Sequence, residues 1–478
     1  MCSDAPRGDA RAAAGVDGGP GGGLTIEAAH LLLPTGWASP GHLTVDGSGT
    51  IVSAGGGRAA AAGRRLDGYV VPGMANVHSH AHHRGLVGWA DRLRAGSPAT
   101  LWTWRRTMYG HLREIEPDQL QAYATLAYVE MLRRGYTSVG EFHYLHNAPD
   151  GSRYADPAEM SRRILAAART AGIAITLLPA LYTRGGIDRE PEGEQRRFVS
   201  TAEEYLTLLC ALDGAARADP LVRVGAAPHS LRAVRPAELA SVVEARPSGP
   251  MHIHAAERTE EVAEVAEALG APPVAWLLAN VPLDPRWCVI HATHMTASER
   301  HRLAVSGAVA GVCPLTEANL ADGRFPLAAY RRAGGRIAVG TDANHSVDLA
   351  GELRMLEYGQ RLHSRRRETL LRDGELSVGA VLHGLALAGG AQALAQPCGA
   401  IAPGLRCDLV ELDPDHPALA GQEPETVLDA WIFSSSSDAI VRTVLVGGRE
   451  VVSAARHAAQ EPARQRVDGV MRLLHGRR

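Results

Sequence analysis

The chain has 478 residues, of which 45% are hydrophobic and 21% are charged, and its formal net charge is -3 with a pI near 6.7. This length accommodates one large domain or two to three smaller ones, with the composition of an ordinary globular protein. The charge gives no reason to expect a nucleic-acid or membrane-surface partner. Because there is no membrane-length apolar run and no signal-peptide core, we expect a cytoplasmic protein.

Cysteine and lysine usage restricts the possible chemistry. The six cysteines are scattered and contain no CxxC pair, a pattern that is typical of buried or free thiols in a reducing compartment. Lysine is absent, so all 49 basic residues are arginine. This absence excludes a lysine Schiff-base mechanism and also a two-metal site bridged by a carboxylated lysine.

The two ends of the chain have a β-rich pattern. Residues 1–23 are rich in Gly, Ala and Asp, and we predict a disordered tail there. Residues 24–72 alternate short apolar runs with glycine turns, and a similar pattern returns over residues 397–456. We therefore predict a small β-sandwich domain built from both chain ends, followed by a C-terminal helix over residues 457–478.

Buried strands alternate with helices over residues 73–396. The helical stretch Asp118–Arg134 shows the pattern, because its apolar residues share one face. Eight such strands predict a (β/α)8 barrel of the TIM type. An open doubly wound sheet is the alternative, but no Gly-rich phosphate loop follows the first strand. The strand candidates are Val70–Val77, Ser138–Phe142, Ala174–Pro179, Val222–Ala227, Met251–His254, Trp287–His291, Ala308–Val312 and Arg336–Thr341.

A His-Ser-His motif ends the first of these strands. Residues i and i+2 of a strand point to the same side, so His78 and His80 face one point, as two metal ligands must. Short His-x-His runs also occur on protein surfaces, and the motif alone does not decide between these interpretations.

Polar residues also follow the later strands, at the carboxyl ends where barrel enzymes place their catalytic groups. A single histidine is by default a core residue that makes one hydrogen bond. Histidines or an aspartate at the ends of strands 1, 5, 6 and 8 together favour a metal site instead. These residues are His78, His80, His254, His291 and Asp342.

Nine longer stretches between residues 70 and 365 form a more specific pattern. They are VPGMANVHSHAHHRG, LWTWRRTMY, EFHYLHNAPDGSRYADPAEM, LLPALY, PHSLRAV, HIHAAE, RWCVIHATHMT, CPLTEANLADG and ELRMLEYGQRL. In these stretches the chain resembles the amidohydrolase superfamily, in its mononuclear zinc deaminase branch, and more closely the formimidoylglutamate deiminase family. The His-x-His motif and the strand-8 aspartate are shared by the whole superfamily.

The resemblance implies a homodimer with one zinc ion per subunit. The implied ligands are His78, His80, His254 and Asp342, and imidazole and carboxylate groups suit Zn²⁺. It also implies catalytic roles for Glu257, His291 and Asp342. Without the resemblance, Glu257 has two interpretations, a glutamate favoured by a helix N-terminus or a proton shuttle beside the metal, and we favour the shuttle.

The resemblance further implies the substrate. It places Arg105, Tyr144, His229 and Arg232 around N-formimino-L-glutamate, a small amidine with two carboxylates that guanidinium groups bind bidentately. The implied reaction yields N-formyl-L-glutamate and ammonia, in histidine degradation. His83 stands where family members commonly carry a glutamine, and we expect it to be a polar substrate contact.

Other departures from the family pattern occur at His82, Arg258 and Ala343. They leave open a second interpretation, a zinc deaminase of the same class acting on another amidine, a guanidine or an N-heterocycle. A third interpretation, from a different class, is a non-catalytic barrel that serves as a scaffold. Such a scaffold is expected to have lost metal ligands, and this chain retains them.

Overall fold

The computed structural model describes residues 23–89, 108–434 and 439–475, with side chains to residue 473. The predicted tail over residues 1–23 lies outside these ranges except for its last residue. Arg105, a predicted substrate contact, also lies outside the described residues.

Strands and helices alternate through most of the described chain. In chain order the strands are β1 (Leu24–Leu33), β2 (Gly36–Ala38), β3 (Gly41–Val45), β4 (Ile51–Gly56), β5 (Arg64–Pro72), β6 (Met74–Ser79), β7 (Tyr136–His143), β8 (Ala174–Leu181), β9 (Val222–Val224), β10 (Ala227–Pro228), β11 (Met251–Ala255), β12 (Trp287–His291), β13 (Val309–Val312), β14 (Arg336–Val339), β15 (Leu409–Leu412), β16 (Val441–Val446) and β17 (Arg449–Val452).

The α-helices lie mainly between the strands β6 to β14 and after them. They are Pro117–Arg133, Glu159–Ala171, Ala202–Ala218, Pro236–Ala245, Thr259–Leu269, Pro273–Asn280, Ala297–Ser306, Pro314–Asn319, Leu327–Arg332, Leu349–Ser364, Val378–Leu394, Pro424–Ser434 and Gln460–His475. Two 3₁₀ helices, Ala81–Leu86 and Gly193–Arg197, complete the set in the described ranges.

Both ends of the chain join in one eight-stranded sheet of order β17-β16-β15-β5-β1-β3-β4, in which β2 pairs with β1. The two ends meet where β5 pairs antiparallel with β15, Pro72 opposite Leu409. The Ile51 amide, at the start of β4, donates a hydrogen bond to the Leu405 carbonyl (2.8 Å) just before β15. The sheet therefore curls around its own small core, which contains Ile26, Leu31, Leu43, Ile51, Leu66, Val70, Leu409 and Leu445.

The strands β6 to β14 form the predicted barrel. β6 to β10 and β11 to β14 make two parallel sheets. Bridges from Ala226 to Met251 and from Ser230 to His254 join them on one side. On the other side the amide of Asp342 donates to the His78 carbonyl (2.9 Å). The prediction of a (β/α)8 barrel is confirmed, and closure places the ends of β6 and β14 side by side.

The predicted strand Val70–Val77, which the sequence interrupts at Pro72-Gly73, is divided there between two strands. Its first half belongs to β5 in the terminal sheet, and its second half is the first barrel strand, β6. The break falls at Gly73, after Pro72, which lacks an amide proton for a ladder. A Cβ at Gly73 would lie 2.3 Å from the Thr137 side chain, so only glycine permits this close approach. The chain thus passes directly from the sheet into the strand that carries His78.

The C-terminal helix Gln460–His475 packs on the barrel helix Pro117–Arg133, where the Tyr123 hydroxyl lies 3.2 Å from the Met471 sulfur. Among the described residues, no single helix has the length and apolar composition of a membrane span. The bent pair Thr259–Leu269 and Pro273–Asn280 passes that test jointly, by length and composition alone.

Candidate active site

Four side chains meet at the carboxyl ends of β6, β11 and β14. The Oδ1 atom of Asp342 lies 3.4 Å from His78 Nε2 and 3.4 Å from His80 Nε2. His254 Nε2 lies 3.1 Å from His78 Nε2. All four residues are buried. The four predicted metal ligands therefore surround a single point.

Hydrogen bonds on the far side of the rings show that these donors fit a cation. The Nδ1 atom of His80 lies 2.7 Å from the Phe142 carbonyl, and that of His254 lies 3.0 Å from the His229 carbonyl. Because a carbonyl only accepts, both Nδ1 atoms carry the proton. The Nε2 atoms then present lone pairs toward one another and toward Asp342, an arrangement that a metal ion satisfies.

Burial keeps these imidazoles neutral, as metal ligands must be. It lowers the pKa of His78 and of His254, and it lowers the pKa of His80 to about 4. Burial raises the pKa of Asp342 to about 7, with His291 acting in the opposite direction. A cation among these donors favours the ionised carboxylate.

A buried hydrogen-bond network ties the first and last barrel strands together behind the donors. Asn76 Nδ2 donates to Thr341 Oγ1 (2.7 Å), and Thr341 Oγ1 donates to Asn344 Oδ1 (2.6 Å). Asn344 Nδ2 donates to Ser79 Oγ (3.1 Å), which donates to Glu141 Oε2 (2.7 Å). The network fixes the backbone on either side of His78 and Asp342. The motif positions alone did not reveal it.

The backbone at several strand ends is left-handed. The φ angle is 67° at His291, 44° at Asp342 and 52° at Asn344, and Ala256 and Ala292 have φ of 54° and 49°. L-residues rarely adopt these angles, which cost about 1–3 kcal/mol each and cluster at functional sites. These residues turn the backbone at the ends of β11, β12 and β14, next to the four proposed metal donors.

His291 lies between two carboxylates beside the four donors. Its Nε2 atom is 3.9 Å from Glu257 Oε1, and its Nδ1 atom is 3.2 Å from Glu317 Oε1. Burial lowers the pKa of His291, but Glu257, Glu317 and Asp342 outweigh it and raise this pKa to about 10. His291 is therefore an imidazolium at neutral pH when no metal is bound. Glu317 was not among the residues predicted from the sequence, although it lies within the CPLTEANLADG stretch.

Arg232 lies on the same side of the barrel as Glu257. Its Nε atom is buried and has no hydrogen-bond partner within the described ranges. Burial lowers the pKa of Arg232, but Glu261 and Glu257 outweigh it and raise this pKa, so the guanidinium stays charged. Glu261 also accepts the Glu257 amide (2.9 Å). A half-buried cation whose buried Nε lacks a partner is ready to bind an anionic ligand.

The other predicted substrate contacts surround the donors. His83 Nε2 and the Tyr144 hydroxyl are hydrogen-bonded at 2.6 Å, and both rings lie 5.1 Å from the His80 ring. The His229 ring lies 4.9 Å from that of His254. The structure thus brings these three residues to the site, together with the predicted catalytic residues.

Comparison with known proteins shows the family to which this chain belongs. Residues 69–451 match the model of the amidohydrolase family, and the chain belongs to this family of hydrolases, which act on C–N bonds and depend on a metal. The resemblance seen in the sequence is therefore confirmed.

Individual relatives are similar to this chain over most of its length. A formimidoylglutamate deiminase from Pseudomonas aeruginosa is 45% identical over 439 residues, which cover 91% of this chain and 96% of that protein. A 5-methylthioadenosine/S-adenosylhomocysteine deaminase from Natronomonas pharaonis is 30% identical over a stretch that covers 83% of this chain and 85% of that protein. The crystal structure of an amidohydrolase from Brucella melitensis has a TM-score of 0.89 at 39% identity, covering 94% of this chain and 99% of its own.

Proposed function

We propose that this protein is a zinc-dependent deiminase that hydrolyses N-formimino-L-glutamate to N-formyl-L-glutamate and ammonia. The observation that carries the proposal is the half-buried Arg232 guanidinium, with its buried and unsatisfied Nε, on the same rim as the four metal donors. A carboxylate anchor beside a hydrolytic centre suits an amidine that bears carboxylates. The 45% identity to a formimidoylglutamate deiminase supports the same substrate.

The donors His78, His80, His254 and Asp342 hold one zinc ion per subunit in this proposal. When bound there, zinc lowers the pKa of a water molecule and so supplies a nucleophile near neutral pH. The preset Nδ1 protons of His80 and His254 orient the donor atoms before the metal arrives.

Glu257 moves the proton. It follows β11 directly, so its carboxylate is held beside the donors, with only 18% of the side chain exposed. We assign it to take a proton from the attacking water and to deliver it to the nitrogen that leaves as ammonia. One carboxylate serves both steps because the C–N bond breaks after the C–O bond forms.

His291 stabilises the charge that develops on the substrate. Its Nδ1 atom faces Glu317, which holds the ring in place and keeps the Nε2 side directed toward the site. Asp342 orients the attacking water with its carboxylate. In this assignment His291 donates a hydrogen bond from Nε2 to the oxygen that adds to the reacting carbon.

The substrate carboxylates bind the cationic and hydroxyl groups of the rim. Arg232 binds one carboxylate, and Tyr144 and His229 supply further hydrogen bonds. Arg105 completes the set in this proposal. His83 acts through Tyr144, because their hydrogen bond of 2.6 Å fixes the hydroxyl.

Ammonia release from N-formimino-L-glutamate by the zinc-loaded protein tests the proposal. We expect turnover that stops with a chelator and returns with zinc. Arg232→Met should raise KM so that kcat/KM falls about a hundredfold or more, because the charged contact to a substrate carboxylate is lost, and should leave the zinc content unchanged. No turnover of this substrate would refute the substrate assignment and leave the hydrolase class intact.

A second candidate is a deaminase of the same class that acts on another amidine, a guanidine or an N-heterocycle. The observation in its favour is the His82–His83 pair, buried against Tyr144, where family members commonly carry an aromatic residue and a glutamine. Turnover of a carboxylate-free amidine that Arg232→Met leaves unchanged would favour this candidate. The homodimer, the cytoplasmic location and the role in histidine degradation stay predictions.

A further inference from the structure

A second group of buried donors lies next to the four proposed zinc ligands. His291, Cys313 and Asp342 come from the ends of β12, β13 and β14, and one donor atom of each lies within 4.8 Å of the other two. All three residues are buried. Asp342 belongs to both groups, while Cys313 has no part in the proposed reaction.

Negative charge surrounds this second group. Glu317 Oε1 accepts the Cys313 amide (2.9 Å) and contacts His291 Nδ1 (3.2 Å), so it holds these two residues together. Glu257 faces the other side of the His291 ring at 3.9 Å. With Asp342, three carboxylates surround the His291 imidazole, and Asp342 and Glu317 also lie near the Cys313 thiol. A thiolate, an imidazole and a carboxylate form a donor set for a thiophilic divalent cation.

We infer that His291, Cys313 and Asp342 form a second, inhibitory metal site that binds Cd²⁺ or excess Zn²⁺. Donors around a tetrahedral ion lie roughly 3–4 Å apart, so the three side chains need to close by about 1 Å. Binding forms the metal–sulfur, metal–nitrogen and metal–oxygen bonds. It releases to solvent the proton of the Cys313 thiol and any proton on the His291 nitrogen that binds the metal.

Occupation of this site removes two residues that the reaction needs. His291 no longer donates a hydrogen bond to the substrate, and Asp342 is shared with a second cation. The inhibition rests on the proposed function, whereas the metal binding does not. A relative with no thiol at the position of Cys313 is expected to tolerate excess metal.

The test is a titration of the enzyme, loaded with one zinc ion per chain, with cadmium chloride. Native mass spectrometry gives the metal content, and the ultraviolet cadmium–thiolate charge-transfer band reports sulfur ligation. We expect one cadmium ion per chain in addition to the retained zinc ion, growth of the band, and a parallel loss of ammonia release. Cys313→Ser should lose the band and bind this cadmium ion at least about tenfold more weakly.

Cys210→Ser is the matched control, because Cys210 is an exposed free thiol on another part of the barrel. It should keep the band, the second metal ion and the inhibition. X-ray absorption of cadmium-loaded Cys210→Ser protein should find one sulfur neighbour, a measurement that does not depend on the folding of Cys313→Ser.

Three results would overturn the inference: no second metal ion in the wild type, an unchanged band in Cys313→Ser, or cadmium that enters only by displacing zinc. Band and metal content require no substrate. They therefore still report on this site if N-formimino-L-glutamate proves not to be the substrate.

Discussion

Arg184 holds the main chain at Arg232 through hydrogen bonds to two carbonyl groups. Its Nη2 atom donates to the Leu231 carbonyl (2.6 Å), and its Nε atom donates to the carbonyl of Arg232 itself (3.0 Å). Arg184 is only 6% exposed. Two charge-assisted hydrogen bonds to adjacent carbonyls fix the segment that presents the Arg232 guanidinium. Arg184 is therefore a positioning residue for the proposed carboxylate anchor.

Arg184→Met should raise KM for N-formimino-L-glutamate about tenfold and change kcat little, because the anchor loses its orientation while the metal donors are untouched. Steady-state kinetics and zinc content measure both effects. Arg184→Lys should restore part of the KM. The exposed Arg217 provides the control, since Arg217→Met should change neither parameter. An equal loss in kcat and zinc content would indicate a general structural role instead.

Glu257→Gln should lower kcat about 10²- to 10⁴-fold, because the amide cannot carry the proton from water to the leaving nitrogen. KM and zinc content should stay close to those of the wild type, and ammonia release with metal analysis checks this. Glu260, three residues further along, has a side chain that is 70% exposed, so Glu260→Gln is the matched control and should keep full activity. A Glu257→Gln enzyme with undiminished kcat would remove this residue from the mechanism.

Metal removal should lower the melting temperature, since the lone pairs of the buried Nε2 atoms then lack a partner. On adding zinc back, Tm should rise with the logarithm of the free zinc concentration, as for any ligand that binds the folded state. His254→Ala should flatten this rise, whereas His301→Ala, at an exposed helix position, should not. Differential scanning fluorimetry in zinc buffers gives the curves, and identical curves for His254→Ala and wild type would contradict the assigned ligand set.

Glu141 should make stability depend on pH. Burial raises its pKa to about 7, with the hydrogen bonds from Ala81 and Ser79 acting in the opposite direction. The pKa of Glu141 is higher in the folded state than in the unfolded state. Its contribution to the free energy of unfolding is therefore fully present at acid pH, below the unfolded pKa. It is lost as pH rises toward and through 7, and amounts to about 3 kcal/mol in total.

The Tm of the wild type should fall between pH 5 and pH 8. Glu141→Gln should make this fall smaller by a few degrees, because glutamine does not titrate. The glutamine oxygen still accepts the Ala81 amide, and its NH₂ group donates to Ser79. Thermal melts of both zinc-loaded proteins at each pH measure the difference in slope. Parallel curves for the two proteins would show that Glu141 does not titrate in this range.

Sequence patterns were sufficient for the barrel and for the residues at its strand ends. Period-two side-chain alternation placed His78 and His80 on one side, and the alternation of strands with helices placed His254 and Asp342 at the same rim. The helix predicted over Asp118–Arg134 was also correct to within one residue at each end, because its apolar residues share one face. These features depend on local spacing, which the sequence contains.

Other features depend on contacts between distant segments. Arg184 is one of many arginines, and only folding brings it against Leu231 and Arg232. In the sequence, Glu317 resembles an acidic residue in the first turn of a helix. Only the pairing of β12 with β13 brings it against His291. The interruption of the first strand at Pro72-Gly73 is visible in the sequence, but the close approach of Thr137, which requires glycine at position 73, is not. Hydrophobic spacing carries no information on such long-range contacts.

The left-handed residues at the strand ends have a consequence for the order in which the protein opens. Asp342 and Asn344 are held in this conformation beside the network from Asn76 to Glu141, and His291 is held by its contact with Glu317. Without metal, part of that restraint is lost, while the barrel core keeps its packing. Amide hydrogen exchange should therefore accelerate first at residues 291–293 and 342–344, so that the catalytic rim is the least stable cooperative unit of the barrel.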